Sequence, residues 1–199
     1  MAFYEFFEKL NYSFEVTSEF DMEVLKQVVP NCRDVRKSDT ENDKLGIDYI
    51  ATLKGGAKVY IDAKTREAGA SRWWKHGEPE LALETWSVRP GGKYNTPDNM
   101  KRPGWSWDSS KLTDLILYTF HPSDTSNAYI LPFEHIRMAV HKYMRQWIAE
   151  YGVKTQETEI NGFRYESQAV FIPASVLVEA ISDMSVITPT NAATLAGVR

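Results

Sequence analysis

The stretch Gly46 to Glu67 reads "GIDYIATLKGGAKVYIDAKTRE": two apolar runs on either side of a paired glycine. Nothing else in the chain limits the fold as tightly. Apolar, β-branched runs at roughly 46–53 and 58–65 with a glycine turn between them predict a β-hairpin. That hairpin carries Asp48, Asp62 and Lys64 among its valines and isoleucines. Strand interiors disfavour Asp, and a charge is costly to bury unless it is paired or metal-bound. Asp62 and Lys64 are two apart on one strand and so share a face. The place of Asp48 depends on the turn. A two-residue turn at Gly55-Gly56 sets Asp48 against Ala63, pointing away from Asp62. A three-residue loop with a left-handed glycine, or one bulge, puts Asp48 on the face of Asp62 and Lys64.

Two carboxylates converging on one face repel each other unless a cation lies between them. Mg²⁺ suits that position, because it takes oxygen ligands at about 2.1 Å and keeps several waters, and Mn²⁺ can substitute for it. A neighbouring lysine orients an attacking water and offsets phosphate charge. Asp, Asp and Lys around Mg²⁺ is a set suited to phosphodiester hydrolysis. Asp62-Ala63-Lys64 is the one acidic-x-Lys triplet in the chain. Chance alone gives about two in a chain of this composition, so the weight lies on its strand–turn–strand context.

The rest of the chain sets bounds. At 199 residues, 43% of them hydrophobic, it suits one domain with a sizeable core. A net charge of −4 advertises no polyanion partner through its global field, so a nucleic-acid surface has to be local. Cys32 is the lone cysteine, which excludes an internal disulfide and a cysteine zinc site and fits a reducing cytoplasm. "MAFYEFFEKL" does not read as a signal peptide, and no apolar run approaches the ~20 residues of a membrane span. His135 and His141 are six apart on a predicted helix, which separates their faces. No Gly-x-Ser-x-Gly elbow, phosphate-binding loop or Gly-x-Gly-x-x-Gly motif is present.

Helical patterns cover Ala2 to Leu10 and "SEFDMEVLKQVVP", where Phe20, Val24, Leu25 and Val28 fall at helical spacing. "ELALETWSV" reads as a third strand, and "LTDLILYTF" with "NAYILPF" as a further hairpin. Residues 133–151 form the clearest helix, with Ile136, Val140, Met144 or Tyr143, and Trp147 on one stripe. An extended segment at about 163–172 and a short helix after Pro173 complete an α+β domain around a mixed sheet.

With these elements in place, "GIDYIATL…KVYIDAKTRE" resembles the core of the PD-(D/E)xK, or restriction-endonuclease-like, nuclease superfamily, over about residues 18–88. The resemblance implies an α/β/α-like fold, a mixed central sheet flanked by helices. It is read here as one domain over residues 1–199, with a core of about 18–150 and an extension from about 151. It also implies that Asp48 and Asp62 bind Mg²⁺, that the Ala63 carbonyl adds a ligand and that Lys64 is the catalytic lysine. A further acid on the first core helix falls to Glu23 or Glu19. The family places a helix between its third and fourth strands, whereas residues 89–111 here show no helical period.

Glu84, inside the third apolar run, is a further metal or water-positioning candidate, or else an edge-strand acid facing solvent. Arg66, Arg72 and Lys75 follow the lysine strand and suit a basic patch at the site mouth. Arg89, Lys93, Lys101 and Arg102, interleaved with Tyr94, Trp105 and Trp107, suit phosphate contacts with base stacking. Alternatively, the tryptophans anchor a long loop. The expected function is a Mg²⁺-dependent deoxyribonuclease, an endonuclease acting on DNA with no membrane partner, its selectivity supplied by loops or a homodimer. The alternative is an inactive nucleic-acid-binding or protein-interaction module on the same fold.

Overall fold

A computed structural model describes residues 18–67, 77–90, 93–94, 100–121, 128–160 and 163–185. In chain order its elements are α1 (residues 18–28), β1 (Cys32–Lys37), α2 (Thr40–Lys44), β2 (Tyr49–Leu53), β3 (Lys58–Glu67), β4 (Glu80–Val88), β5 (Arg102–Pro103), β6 (Leu115–His121), β7 (Tyr129–Pro132), α3 (Phe133–Tyr151), β8 (Lys154–Ile160), β9 (Phe163–Pro173) and α4 (Ala174–Ser185). The fold is mixed α+β. It divides into two compact units, one of Met1–Ala70 with Ser110–Phe133, the other of Ser71–Ser109 with Glu134–Arg199. The helix expected over residues 2–10 lies outside the described residues.

The first unit is built on a five-stranded sheet in the order β1-β2-β3-β6-β7. All neighbours are antiparallel except β3 and β6, which run parallel. A parallel neighbour needs a crossover of a dozen or more residues, and the chain between Glu67 and Leu115 supplies it. α1 contributes Val24 and Leu25, with Val29 just beyond its end, to a core with Val35, Tyr49, Ala51, Ile61 and Leu117. The buried stripe thus closes on Val29 rather than Val28, which is 43% exposed.

The hairpin loop spans residues 54–56. The Leu53 amide donates to the Ala57 carbonyl at 2.8 Å, and Gly56 sits at φ 85°, where an L side chain is strained. This odd loop sets the register Tyr49↔Ile61 and Ala51↔Val59. Asp48, immediately before β2, donates its amide to the Ile61 carbonyl at 2.9 Å and so falls opposite Asp62. Alternation then divides the sheet. Tyr49, Ile61 and Ala63 belong to the α1 face, and Asp48, Asp62 and Lys64 to the other.

The second unit holds a four-stranded antiparallel sheet in the order β5-β4-β9-β8. "ELALETWSV" is a strand, as expected, but it belongs to this sheet and not to that of the hairpin, where β6 lies beside β3. α3 buries Ile136, Val140, Met144 and Trp147 at the expected spacing. α4 buries Leu177 and Ile181 and packs on β4 and β9. β8, "KTQETEI", shows too few apolar residues to be anticipated as a strand. No helix among the described residues is long and apolar enough to cross a membrane.

Candidate functional site

The candidate site lies on the first unit's sheet, on the face away from α1. The backbone of Asp48 is held on both sides: its amide by Ile61, and its carbonyl by the Ser38 amide at 2.8 Å. Its carboxylate Oδ2 accepts from the Ala63 amide at 2.7 Å. Across the pair, the Asp62 side chain is only 2% exposed. Lys64 Nζ donates to Asp62 Oδ1 at 2.5 Å, and Lys111 Nζ approaches Asp62 Oδ2 at 3.4 Å. Four groups expected together, Asp48, Asp62, Ala63 and Lys64, are therefore together. Lys111 was not anticipated, because "SSKLTD" has no periodicity to mark it.

Burial pushes the Asp48 carboxyl up from 3.8 to about 7, and the neighbouring charge of Asp62 pushes it the same way. The Ala63 amide and the Lys64 ammonium pull it down by less. The environment thus penalises a second negative charge here, and a divalent cation between the carboxylates would relieve that penalty. Among the described residues, no group of three or more His, Cys, Asp or Glu side chains gathers as a metal cluster. Two carboxylates with backbone oxygen and water suit Mg²⁺, which commonly binds through one or two carboxylates and substrate phosphate. Ala63 contributes its amide, which donates to Asp48 Oδ2.

The acid expected on the first helix differs. Glu19 and Glu23 are exposed, whereas Asp21 is buried. At about 100° of helical turn per residue, a shift of two positions moves a side chain to another face, and Asp21 lies three and four positions before the buried Val24 and Leu25. Its carboxylate accepts from the Tyr49 hydroxyl and the Thr119 hydroxyl, each at 3.2 Å, and Thr119 meets the Thr65 hydroxyl at 3.0 Å. Burial, and then the Asp21 charge, push the Tyr49 hydroxyl well above its usual range. Tyr49 and Thr65 directly follow Asp48 and Lys64, so this network braces the backbone behind the site. Asp21→Ala is expected to cost about 2 kcal/mol by stranding buried hydroxyls. Urea denaturation checks it, and an unchanged midpoint would show the network to be idle.

Apart from Arg66, the remaining candidates lie in the second unit or outside the described residues. Glu84, on β4, accepts at Oε2 from the Ser87 hydroxyl at 2.6 Å and the Trp105 amide at 3.3 Å, and its carbonyl accepts from the Ser106 hydroxyl at 2.6 Å. It braces the turn after β5. Trp105 is 6% exposed, so its ring is not presented for stacking. Trp107 is edge-on to His141, with ring centroids 4.8 Å apart. Arg89 pairs with Glu166 at 3.3 Å and Lys93 with Glu157 at 3.0 Å. Lys101 is half-buried and Arg102 exposed, the latter donating to the Lys101 carbonyl at 2.8 Å. Arg66 is the second-last residue of β3, in the first unit, and its side chain is outside the described set, as are Arg72 and Lys75 entirely. No family model, curated protein or solved structure matches the chain.

Proposed function

We propose that the protein is a divalent-cation-dependent deoxyribonuclease of the PD-(D/E)xK type, with its site on the β2–β3 hairpin. One observation carries the reading: the odd loop sets Asp48 opposite Asp62, on the face that also bears Lys64. Asp48, Asp62 and the Ala63 carbonyl would hold Mg²⁺ or Mn²⁺. When bound, that ion neutralises charge on the phosphate and on the departing oxygen. Lys64, pinned by Asp62 at 2.5 Å, orients the water that attacks phosphorus in line. Asp62 thereby does two things: it offers an oxygen to the cation and fixes the lysine. The half-buried setting strengthens both interactions relative to bulk water.

The test is cleavage of supercoiled, linear, single-stranded and branched DNA with Mg²⁺ or Mn²⁺, with EDTA and Lys64→Ala as controls. Cleavage is expected to require the cation and to fall at least about 100-fold in Lys64→Ala. Full cleavage by that variant would sink the assignment. A second reading, an inactive binding module, is favoured by the fact that both oxygens of Asp62 already face an ammonium group. It predicts no calorimetric Mn²⁺ binding by the folded wild type.

A further inference from the structure

We propose that Lys111 is a second cationic residue of this site: when a divalent cation displaces it from Asp62, its ammonium takes a non-bridging oxygen of the scissile phosphodiester. This inference rests on the nuclease reading of the hairpin and extends it to a residue outside the Asp-x-Lys strand.

The placement of Lys111 is built in. The Leu112 amide donates to the Leu45 carbonyl at 3.0 Å, and the Thr113 hydroxyl donates to the Gly46 carbonyl. Asp114 grips β3 twice, its amide to the Tyr60 carbonyl at 2.9 Å and its Oδ2 accepting from the Tyr60 amide at 2.8 Å. Residues 112–114 are thus zipped to the hairpin and to the bend before it, and Lys111 is the next residue out. Its side chain runs over Gly46. A Cβ on that glycine would stand 2.5 Å from Lys111 Nζ and 2.7 Å from its Cδ, and Gly46 has a φ of 78°. The slot exists because residue 46 has no side chain.

The ammonium at the end of this slot is poorly satisfied for its burial. Its side chain is 17% exposed, and its ion pair with Asp62 is long, 3.4 Å against 2.5 Å for Lys64. Asp62 has two oxygens, each facing one lysine, and a divalent cation that takes one of them repels the ammonium beside it. The longer contact is the weaker and yields first. Still held by its stem, the released ammonium lies beside the cation, where a phosphate oxygen is the natural replacement anion. Lys111 keeps its proton throughout and forms no covalent bond.

The experiment compares wild type, Lys111→Met, Lys111→Gln and Lys111→Arg in two assays: Mn²⁺ binding by calorimetry without DNA, and Mg²⁺-dependent DNA cleavage. Removing the competing ammonium should tighten Mn²⁺ binding several-fold in the Met and Gln variants, while kcat falls about 100-fold and arginine restores most of it. A merely structural lysine would not tighten Mn²⁺ binding. The Gln variant carries the test if Met fails to fold. Unchanged or weaker Mn²⁺ affinity in the neutral variants, or wild-type cleavage by them, overturns the proposal. If wild type binds Mn²⁺ without cutting, the nuclease reading fails and the affinity comparison still decides whether Lys111 competes for Asp62. If wild type neither binds nor cuts, both readings fall.

Discussion

Asp48→Asn is expected to yield a protein that is more stable without metal than the wild type at pH 8, and that cuts no DNA. The asparagine carbonyl can still accept from the Ala63 amide, and its NH₂ can donate to Asp62 where a carboxylate would repel it. The sign of the pH effect follows from the raised carboxyl. Asp48 titrates near 3.8 when unfolded and near 7 when folded, so between those values the folded chain binds more protons. Wild-type stability therefore falls as pH rises from about 4 to about 7, and the asparagine variant escapes that loss. With solvent screening of a half-buried group allowed for, the gap at pH 8 is about 2 kcal/mol. Urea melts in EDTA at pH 5 and pH 8 measure it: the variant's advantage should grow with pH. A variant less stable than wild type at pH 8 would overturn this account of the carboxylate pair. The loss of cleavage, at least about 100-fold, has a separate cause, since a neutral amide is a poor ligand for a hard divalent cation.

Gly104→Ala is the substitution expected to damage the second unit most. A Cβ there would overlap the backbone carbonyl of Glu84 and crowd the amide of Thr85. Those atoms belong to β4, which is paired on both sides by β5 and β9 and has little room to retreat. Gly104 itself donates its amide to the Thr85 carbonyl at 3.0 Å, and its own carbonyl accepts from the Trp107 and Asp108 amides at 2.9 and 3.0 Å. Pushing the glycine off β4 therefore unseats the whole turn, including buried Trp105 and Ser106. Overpacking against backbone places the cost at the upper end of the usual range, about 3 kcal/mol. Chemical denaturation followed by tryptophan fluorescence reads it. A loss under about 0.5 kcal/mol would mean that the turn does not seat on β4 as described.

Local pattern revealed part of this molecule. The stripe of Ile136, Val140, Met144 and Trp147 announced α3, and the glycine pair with two acids announced a hairpin in need of an odd loop. Features set by distant contacts stayed hidden. The partner of β3 is β6, about fifty residues on, and periodicity says nothing about such a pairing. β4 looked like a neighbour of the hairpin because a strand's pattern does not name its sheet. The buried acid of α1 is hidden for the same reason: Asp21 falls within the apolar stripe, and what makes a carboxylate tolerable there is a pair of distant hydroxyls, on Tyr49 and Thr119. Lys111 was invisible for a different reason: its significance comes from the missing side chain at Gly46, sixty-five positions away.

The loop at Lys54–Gly56 contributes no reactive group, yet its length decides whether the hairpin's acids meet. Most surface loops absorb an extra residue at little cost. In this hairpin, if the tip keeps its three-residue loop, adding or deleting one residue slips the β2–β3 pairing by one and turns Asp48 toward α1, whereas a change of two turns it back. Tolerance to insertion at this tip therefore alternates between odd and even, and an engineer seeking a place to graft a peptide has to count residues there before choosing them.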